Sequence, residues 1–255
     1  MLTEERLNKI MTILGEQGQV KSKELSESLS VSEVTIRADL NLLEQKRMLA
    51  RVHGGAVKLK TKIFDPSFQE QKAIDKPEKI EMAKKAVNIV DKNDVLFVDA
   101  GSSTLFFMEE LLKNPPLNLT VVTNSLYIIN EIVQYENINL FVLGGTFQKS
   151  SLNFLDLDIC PLLQKYSVNK VFLGINGMDE TGFFASNTIE ARVKAEICAL
   201  NTNIYIFASS SKLFKKSLKL ISDWKGKETI ITSSKGIQAF EKLSELKLDK
   251  QINIL

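Results

Sequence analysis

Two periodicities divide this chain. Up to about residue 60 the apolar positions recur at helical spacing, and from Pro77 onward short apolar runs alternate with helical stretches. Leu7, Ile10, Met11 and Leu14 mark one face of a first helix that Thr3 can cap and that ends near Gly15 to Gly18. Ser22 can cap a second, with Leu25 and Leu29 inward. Leu29-Ser30-Val31 is a tight turn into a third, where Ser32 suits the N-cap and Glu33 the positive helix end. In that third helix Ile36, Leu40 and Leu43 fall on one face. Met48 to His53 and Ala56 to Lys60 then alternate around Gly54-Gly55, as a two-stranded hairpin would.

Helix, helix, turn, helix and hairpin in this order is the arrangement of a winged helix-turn-helix. The outward face of the third helix carries Val34, Ala38 and Asn41, with Thr35 and Arg37 flanking. Such a face suits a major groove: arginine pairs with guanine, asparagine with adenine, and small apolar groups touch thymine methyls. Arg51, His53, Lys58 and Lys60 line the hairpin, where cations contact phosphate. The expected DNA-contacting set is Ser32, Val34, Thr35, Arg37, Ala38, Asn41, Arg51, His53, Gly54 and Gly55. An ordinary amphipathic helix of a small bundle would show the same apolar face, so the third helix alone does not decide the matter.

Pro77 opens a helix with Ile80, Ala83, Val87 and Val90 inward. Strands are expected at Asp94–Val98, Leu119–Val122, Ile138–Leu143, Lys170–Leu173, Asn203–Ala208 and Thr229–Ile231, with helices between them. Apolar strands alternating with helices make a largely parallel sheet covered on both faces. The loops after these strands are small and polar. They are Asp99 to Thr104, Thr123-Asn124-Ser125, Gly144-Gly145, Gly174 to Asp179 and Ser209 to Lys212. In a parallel sheet all of them lie along one edge, where ligands bind. Gly101 to Thr104 also opens a helix, whose backbone N–H groups and hydroxyls suit an anion. Lys194 and Lys212 can add charge, and Asp99, Asn124 and Asn176 can bond sugar hydroxyls. The composite points to a small phosphorylated ligand. No Gly-x-Gly-x-x-Gly follows a strand and no Gly-x-x-x-x-Gly-Lys loop occurs, which leaves nucleotide cofactors without support.

Composition adjusts this picture. The 255 residues suit two domains, and a hydrophobic share of 44% is ample for cores. The net charge of +2 lies in residues 1–60, with ten Lys/Arg against eight Asp/Glu, and the remainder is balanced. So small an excess implies that a homo-oligomer sums the phosphate contacts. Cys160 and Cys198 have no metal spacing and read as buried free thiols. The one histidine, His53, disfavours zinc sites and histidine catalysis in the larger domain, so neither metal nor cofactor is expected. A capped acidic N-terminus and the lack of a long apolar run indicate a cytoplasmic protein with no membrane partner.

The first part resembles the winged helix-turn-helix of the DeoR family of bacterial sugar-responsive regulators. The matching residues are Arg6, Ile10 and Leu14; Ser32, Thr35, Ile36, Arg37, Asp39 and Leu40; and Arg51-Val52-His53-Gly54-Gly55-Ala56. Ala38 and Arg47 stand where the family usually has a second basic residue and a glycine. The second part resembles the family's sensor domain, similar in fold to ribose-5-phosphate isomerase. Asp99 to Thr104, Thr123-Asn124-Ser125, Leu143-Gly144-Gly145, Gly174-Ile175-Asn176-Gly177, Glu190 with Val193-Lys194, and Ser211-Lys212 carry that match. Ser209 stands where the family usually has aspartate.

The resemblance implies an α/β protein: an N-terminal winged helix-turn-helix plus a larger α/β sensor domain. The expected boundaries are 1–60 for the DNA reader, 61–76 for a linker whose Phe64 and Phe68 can dock on either domain, and 77–255 for the sensor. The implied function is a transcriptional regulator, a repressor of a sugar-utilisation operon that binds double-stranded operator DNA and answers to a phosphorylated sugar. The expected effector residues are Asp99, Gly101, Ser102, Ser103, Thr104, Thr123, Asn124, Ser125, Gly144, Gly145, Asn176, Glu190, Lys194, Ser211 and Lys212. Two alternatives stay open. One is a sugar-phosphate isomerase carrying a DNA-binding module, with Asp99, Glu190 and Lys194 as acid–base groups. The other is a DNA-binding protein whose large domain only oligomerises.

Overall fold

The computed structural model describes residues 3–45, 49–52, 54–57, 68–243 and 253–255. By contacts the chain divides into a unit of residues 1–64 and a unit of residues 65–255.

The first unit runs α1 (Thr3–Gln17), β1 (Gln19–Lys21), α2 (Ser22–Leu29), α3 (Glu33–Gln45), β2 (Ala50–Val52) and β3 (Gly55–Val57). Its core is the set of helical faces read from the sequence: Leu7, Ile10 and Leu14 meet Leu25, Ile36, Leu40 and Leu43. Ser32 caps α3, its hydroxyl accepting the Thr35 N–H at 3.1 Å. Two details differ from expectation. The hairpin is part of a three-stranded antiparallel sheet in the order β1-β3-β2. The extra strand is three residues long, too short to show alternation, and only Val20 of it is buried. Ser22 is the first residue of α2 and is buried there, while Lys21 holds the cap position without a side-chain cap bond.

The second unit begins with α4 (Phe68–Ala73) and α5 (Lys76–Ala86). Then come β4 (Val95–Val98), α6 (Ser102–Leu111), β5 (Leu119–Thr123), α7 (Leu126–Ile132) and β6 (Ile138–Val142). The hairpin β7 (Thr146–Gln148) and β8 (Asn153–Leu155) precedes α8 (Ile159–Lys165) and β9 (Lys170–Gly174). Next are β10 (Gly177–Asp179), β11 (Gly182–Ala185), α9 (Thr188–Cys198), β12 (Asn203–Phe207) and β13 (Lys219–Asp223). β14 (Glu228–Ile231), α10 (Ser234–Leu243) and β15 (Asn253–Ile254) end the chain.

Seven strands form one sheet in the order β15-β14-β12-β9-β4-β5-β6. Every pairing in it is parallel. The six expected strands are all present, and their apolar runs follow from burial on both faces: one core holds Phe97, Val122 and Leu173, and the other holds Leu96, Val98 and Phe172. Smaller antiparallel pieces, β7-β8 and β10-β11-β13, are inserted near the carboxyl edge. They are short and were not expected from the pattern.

The order of the strands places the site. From β4 the chain moves outward through β5 to β6, then returns to β9 on the other side of β4 and moves outward through β12. The order therefore reverses between β4 and β9. Loops leaving adjacent strands in opposite directions there open a crevice at their carboxyl ends. Among the described residues no helix is long and apolar enough to cross a membrane.

Candidate functional site

In the first unit α3 presents the face that the sequence indicates. Ser32, Val34, Arg37, Ala38 and Asn41 are exposed, Thr35 is half-buried, and Val34 is 76% exposed although apolar. Arg37 pairs with Glu33 one turn back at 3.0 Å, an exposed pair that a stronger partner can displace. Behind α3 the buried Asp39 receives two bonds from Arg6 of α1, at 2.5 and 3.1 Å. This forked pair fixes the roll of the exposed face, and nothing in the apolar pattern announces it. Arg51 braces the wing: its Nη1 donates to the Arg37 carbonyl at 3.3 Å, and its backbone N–H donates to Glu44 at 2.9 Å. Gly54 is exposed at the hairpin tip, whereas Gly55 is buried under β1. His53, together with Arg47, Lys58, Lys60 and Phe64, lies outside the described residues.

In the second unit an open cleft sits at the reversal between β4 and β9. From the β4 loop come Ala100, Gly101, Ser102 and Ser103, and from the β9 loop Gly174, Ile175 and Asn176. Glu190 and Lys194 enter from α9, and Lys212 from the turn after β12. The remaining wall is Phe68 and Gln71 of α4 and Ser151 of the β7-β8 hairpin. Sequence reasoning missed these three, because a lone aromatic in a linker and a three-residue strand carry no pattern.

At the cleft floor Lys194 bonds Glu190 at 2.6 Å, the Gly174 carbonyl at 2.6 Å and Asp99 at 3.0 Å. Burial pushes the Asp99 carboxyl up to about 6, against the pull of Lys194. Burial works against the Lys194 charge too, but Asp99 and Glu190 overcome it and hold that ammonium well above the ordinary lysine range. Asp99 thus lies beneath the cleft as an anchor.

The rest of the expected set divides between lining and support. Thr104 bonds back to the Gly101 carbonyl at 2.9 Å and Thr123 to the Val98 carbonyl at 2.6 Å. Asn124 accepts the Ala100 N–H at 3.2 Å and donates to the Phe154 carbonyl at 3.1 Å, joining the β4 loop to the hairpin that carries Ser151. Ser125 caps α7. Gly145 starts the hairpin at φ +128, where a Cβ would lie 2.6 Å from the Leu155 carbonyl oxygen, and Gly144 stands in open space. Ser211 turns away from the cleft to bond Asp75.

Two features give the cleft its character. Ser103 Oγ is buried with no hydrogen-bond partner, at the start of α6 where N–H groups converge. Opposite, Lys212 has no hydrogen-bond or ion-pair partner among the described residues. Burial, with Lys79 and Lys194 nearby, brings its ammonium down to about 8. Ser209 shares Asp75 with Ser211, bonding it at 2.8 Å, so a carboxylate from the N-cap of α5 stands beside that turn. Among the described residues no group of His, Cys, Asp and Glu could hold a metal ion. Cys198 is a buried free thiol, pushed up to about 12 by burial, and the side chain of Cys160 lies outside the described residues.

Comparison with known proteins agrees with both halves. Residues 6–62 match the model of the DeoR-like helix-turn-helix domain, and residues 74–234 match that of the DeoR C-terminal sensor domain. The chain is 33% identical to the L-fucose operon activator of Haemophilus influenzae, covering 88% of this chain and 89% of that protein. It is 30% identical to a putative aga operon transcriptional repressor of Escherichia coli O157:H7, covering 93% and 88%. Ribose 5-phosphate isomerase A from Methanocaldococcus jannaschii superposes over 54% of each chain, with 23% identity and a TM-score of 0.39. An exposed helix face on a winged scaffold, a crevice at the carboxyl edge of a parallel sheet and family-model matches to residues 6–62 and 74–234 have one explanation: the chain belongs to the DeoR family of transcriptional regulators.

Proposed function

We propose that this regulator represses a sugar-utilisation operon and that a phosphorylated sugar, bound in the β4–β9 crevice, controls it. The observation that carries the reading is the meeting in one cleft of the Ser103 hydroxyl, buried without a hydrogen-bond partner at a helix start, and Lys212, which has no side-chain partner among the described residues. A phosphate satisfies both. Asn176 and Glu190, which also line the cleft, can then bond hydroxyls of the sugar. Relatives named for a fucose operon and for the aga operon are in keeping with this class of effector. The Asp99–Glu190–Lys194 cluster is closed on itself by bonds of 2.6 and 3.0 Å, which suits a recognition floor better than a set of proton carriers. A homo-oligomer placing two α3 helices on two half-sites completes the reading on the DNA side.

The test is thermal unfolding against a panel of sugar phosphates and the same sugars without phosphate. A ligand confined to the folded state raises stability by RT ln(1 + [L]/Kd). A shift for one sugar phosphate and none for its parent sugar is the expected result. No shift across the panel removes the sensor reading and leaves the DNA reader.

Two further outcomes are expected. Arg37→Ala should cost about 1–3 kcal/mol of specific operator affinity. A mobility-shift titration that shows no loss takes Arg37 off the reading surface. Effector affinity should also fall as pH rises through 8, where Lys212 loses its proton. The phosphate, with its second pKa at about 6, stays dianionic over that range, so only the protein side of the attraction weakens. A flat calorimetric affinity across that range takes Lys212 out of the anion site.

A further inference from the structure

We propose that Asp75 and Glu78, which do not line the effector cleft, are its positioning residues: they hold the turn after β12 at three consecutive serines and so aim Lys212 at the anion. The inference rests on the reading of the cleft as an anion site.

The turn is Ser209 to Lys212, and it is too short to fix itself. Its own backbone bonds run from the Lys212 N–H to the Ser209 carbonyl at 2.9 Å and from the Leu213 N–H to the Ser210 carbonyl at 3.3 Å. A single tight turn of this kind is weakly held. Its main support comes from the start of α5. The Ser209 hydroxyl donates to Asp75 Oδ2 at 2.8 Å, and the Ser211 hydroxyl donates a short bond to the same oxygen. Between them Ser210 gives both its backbone N–H and its hydroxyl to Glu78, each at 2.8 Å. Glu78 also accepts the Ser233 hydroxyl at 2.6 Å, from the loop after β14. One turn further along α5, Glu81 accepts the Ser234 hydroxyl at 2.6 Å. Positions 75, 78 and 81 share one helix face, so a row of carboxylates fastens two loops of the carboxyl edge.

These bonds are made to ionised acceptors, the stronger kind. Burial works against both charges, yet the hydroxyls of Ser211 and Ser209 hold the Asp75 carboxyl below its ordinary range. Ser233 and Ser210 do the same for Glu78. The residue that follows the three serines is Lys212, which lines the cleft. A lysine carries its charge on a flexible stem, and this one has no side-chain partner among the described residues. The backbone of the turn is therefore what directs it. Asp75 also occupies the corner between α4 and α5, and α4 lends Phe68 and Gln71 to the cleft wall. One carboxylate thus ties the lysine side of the cleft to the aromatic side. A site is as precise as the bonds that lock its contact residues.

The test is calorimetric titration of the full chain with ribose 5-phosphate, glucose 6-phosphate, fructose 1-phosphate and inorganic phosphate. Acetylation of Lys212 by acetic anhydride, read by mass spectrometry, reports on the lysine directly. A probe that binds the unaltered chain should protect Lys212. Asp75 has φ +52, which glycine adopts freely, so Asp75→Gly removes the carboxylate without a backbone penalty. It should weaken that probe roughly tenfold or more, the scale of losing an outer partner at a metal site. Lys212 should no longer be protected when the site is filled. Glu78→Ala should behave in the same way. Asp75→Asn keeps an oxygen for both hydroxyls and should bind and protect nearly as the unaltered chain does. A carboxylate that served the fold alone would lower the melting temperature of the free protein and leave Lys212 protected whenever a probe is bound. That result overturns the proposal, as does unchanged affinity in Asp75→Gly. Should the truncated variants fail to fold, Ser211→Ala removes one bond from the turn side and should weaken the probe in their place; unchanged affinity there overturns the proposal. A probe that binds without protecting Lys212 in the unaltered chain overturns it too and leaves the sensor reading standing. If no probe binds, both fall together.

Discussion

Replacing Lys194 with methionine is expected to lower the stability of the sensor unit by about 3–5 kcal/mol, the cost of removing one partner from a buried ion pair. Methionine fills nearly the same volume, so the loss comes from charge and not from a cavity. Asp99 and Glu190 would be left facing each other at the cleft floor, and the Gly174 carbonyl would lose its donor. For a unit of this size the thermal midpoint should fall by roughly 10 °C. The double variant Lys194→Met with Asp99→Asn should regain part of that stability, because it removes one of the two stranded carboxylates and their mutual repulsion. It should not regain the effector response. Calorimetry on the three proteins checks the point, and a Lys194→Met midpoint equal to that of the unaltered chain would show that the cluster carries no net stabilisation.

The second large effect is expected at the wing. Gly55 is buried where β3 crosses β1, opposite Lys21, and a Cβ there would lie 2.0 Å from the Val20 carbonyl oxygen. That oxygen is backbone and cannot turn aside. Gly55→Ala should therefore force β1 and β3 apart, costing about 1–3 kcal/mol from overpacking alone. In a reader this small the loss is a large share of the total, and operator binding should fall at least tenfold, roughly 1.4 kcal/mol. Gly54 supplies the control. It sits at φ +81 with open space around it, so Gly54→Ala meets only the left-handed backbone penalty of about 1–2 kcal/mol. Equal operator affinities for the two variants would mean that the clash is absorbed by the hairpin. The sensor transition should be unchanged in both.

The two glycines show how sequence reading works and where it stops. Gly54-Gly55 marked a hairpin, but the reason for the second glycine is a strand, Gln19 to Lys21, that three residues cannot announce. The reading helix was legible because Ser32, Ile36, Leu40 and Leu43 satisfy capping and periodicity together. The brace behind it was not, since Arg6 and Asp39 are far apart in sequence and charged residues are ordinarily exposed. The same holds in the sensor. Loops after parallel strands must share an edge, so Gly101, Ser102, Ser103, Asn176 and Lys212 lie together at one cleft, where Glu190 and Lys194 join them from α9. Asp99, Asn124 and Thr123 have the same polar character but serve beneath it, a distinction that needs hydrogen-bond partners to draw. Lys79 is hidden for a third reason: the periodicity puts Ile80, Ala83, Val87 and Val90 on one inward face, whereas α5 ends at Ala86 and buries Lys79 with Met82, Ala83 and Ala86. A rotation of the face by one residue hides a lysine.

The reversal of strand order between β4 and β9 has a bearing on how the protein is made. Every pairing in the reader closes within its first 57 residues, whereas Leu96 of the central strand β4 waits for Lys170 before its second neighbour exists. Loop closure over such a span is slow, and parallel sheets assemble late. On the ribosome, where N-terminal domains fold first, the DNA-binding unit is complete while the ligand crevice still lacks one of its two sides. Each new molecule therefore passes through a stage in which the sheet of the first unit can be closed and the crevice of the second cannot. A chain cut short before β9 would stay at that stage, with the central strand β4 lacking its second neighbour.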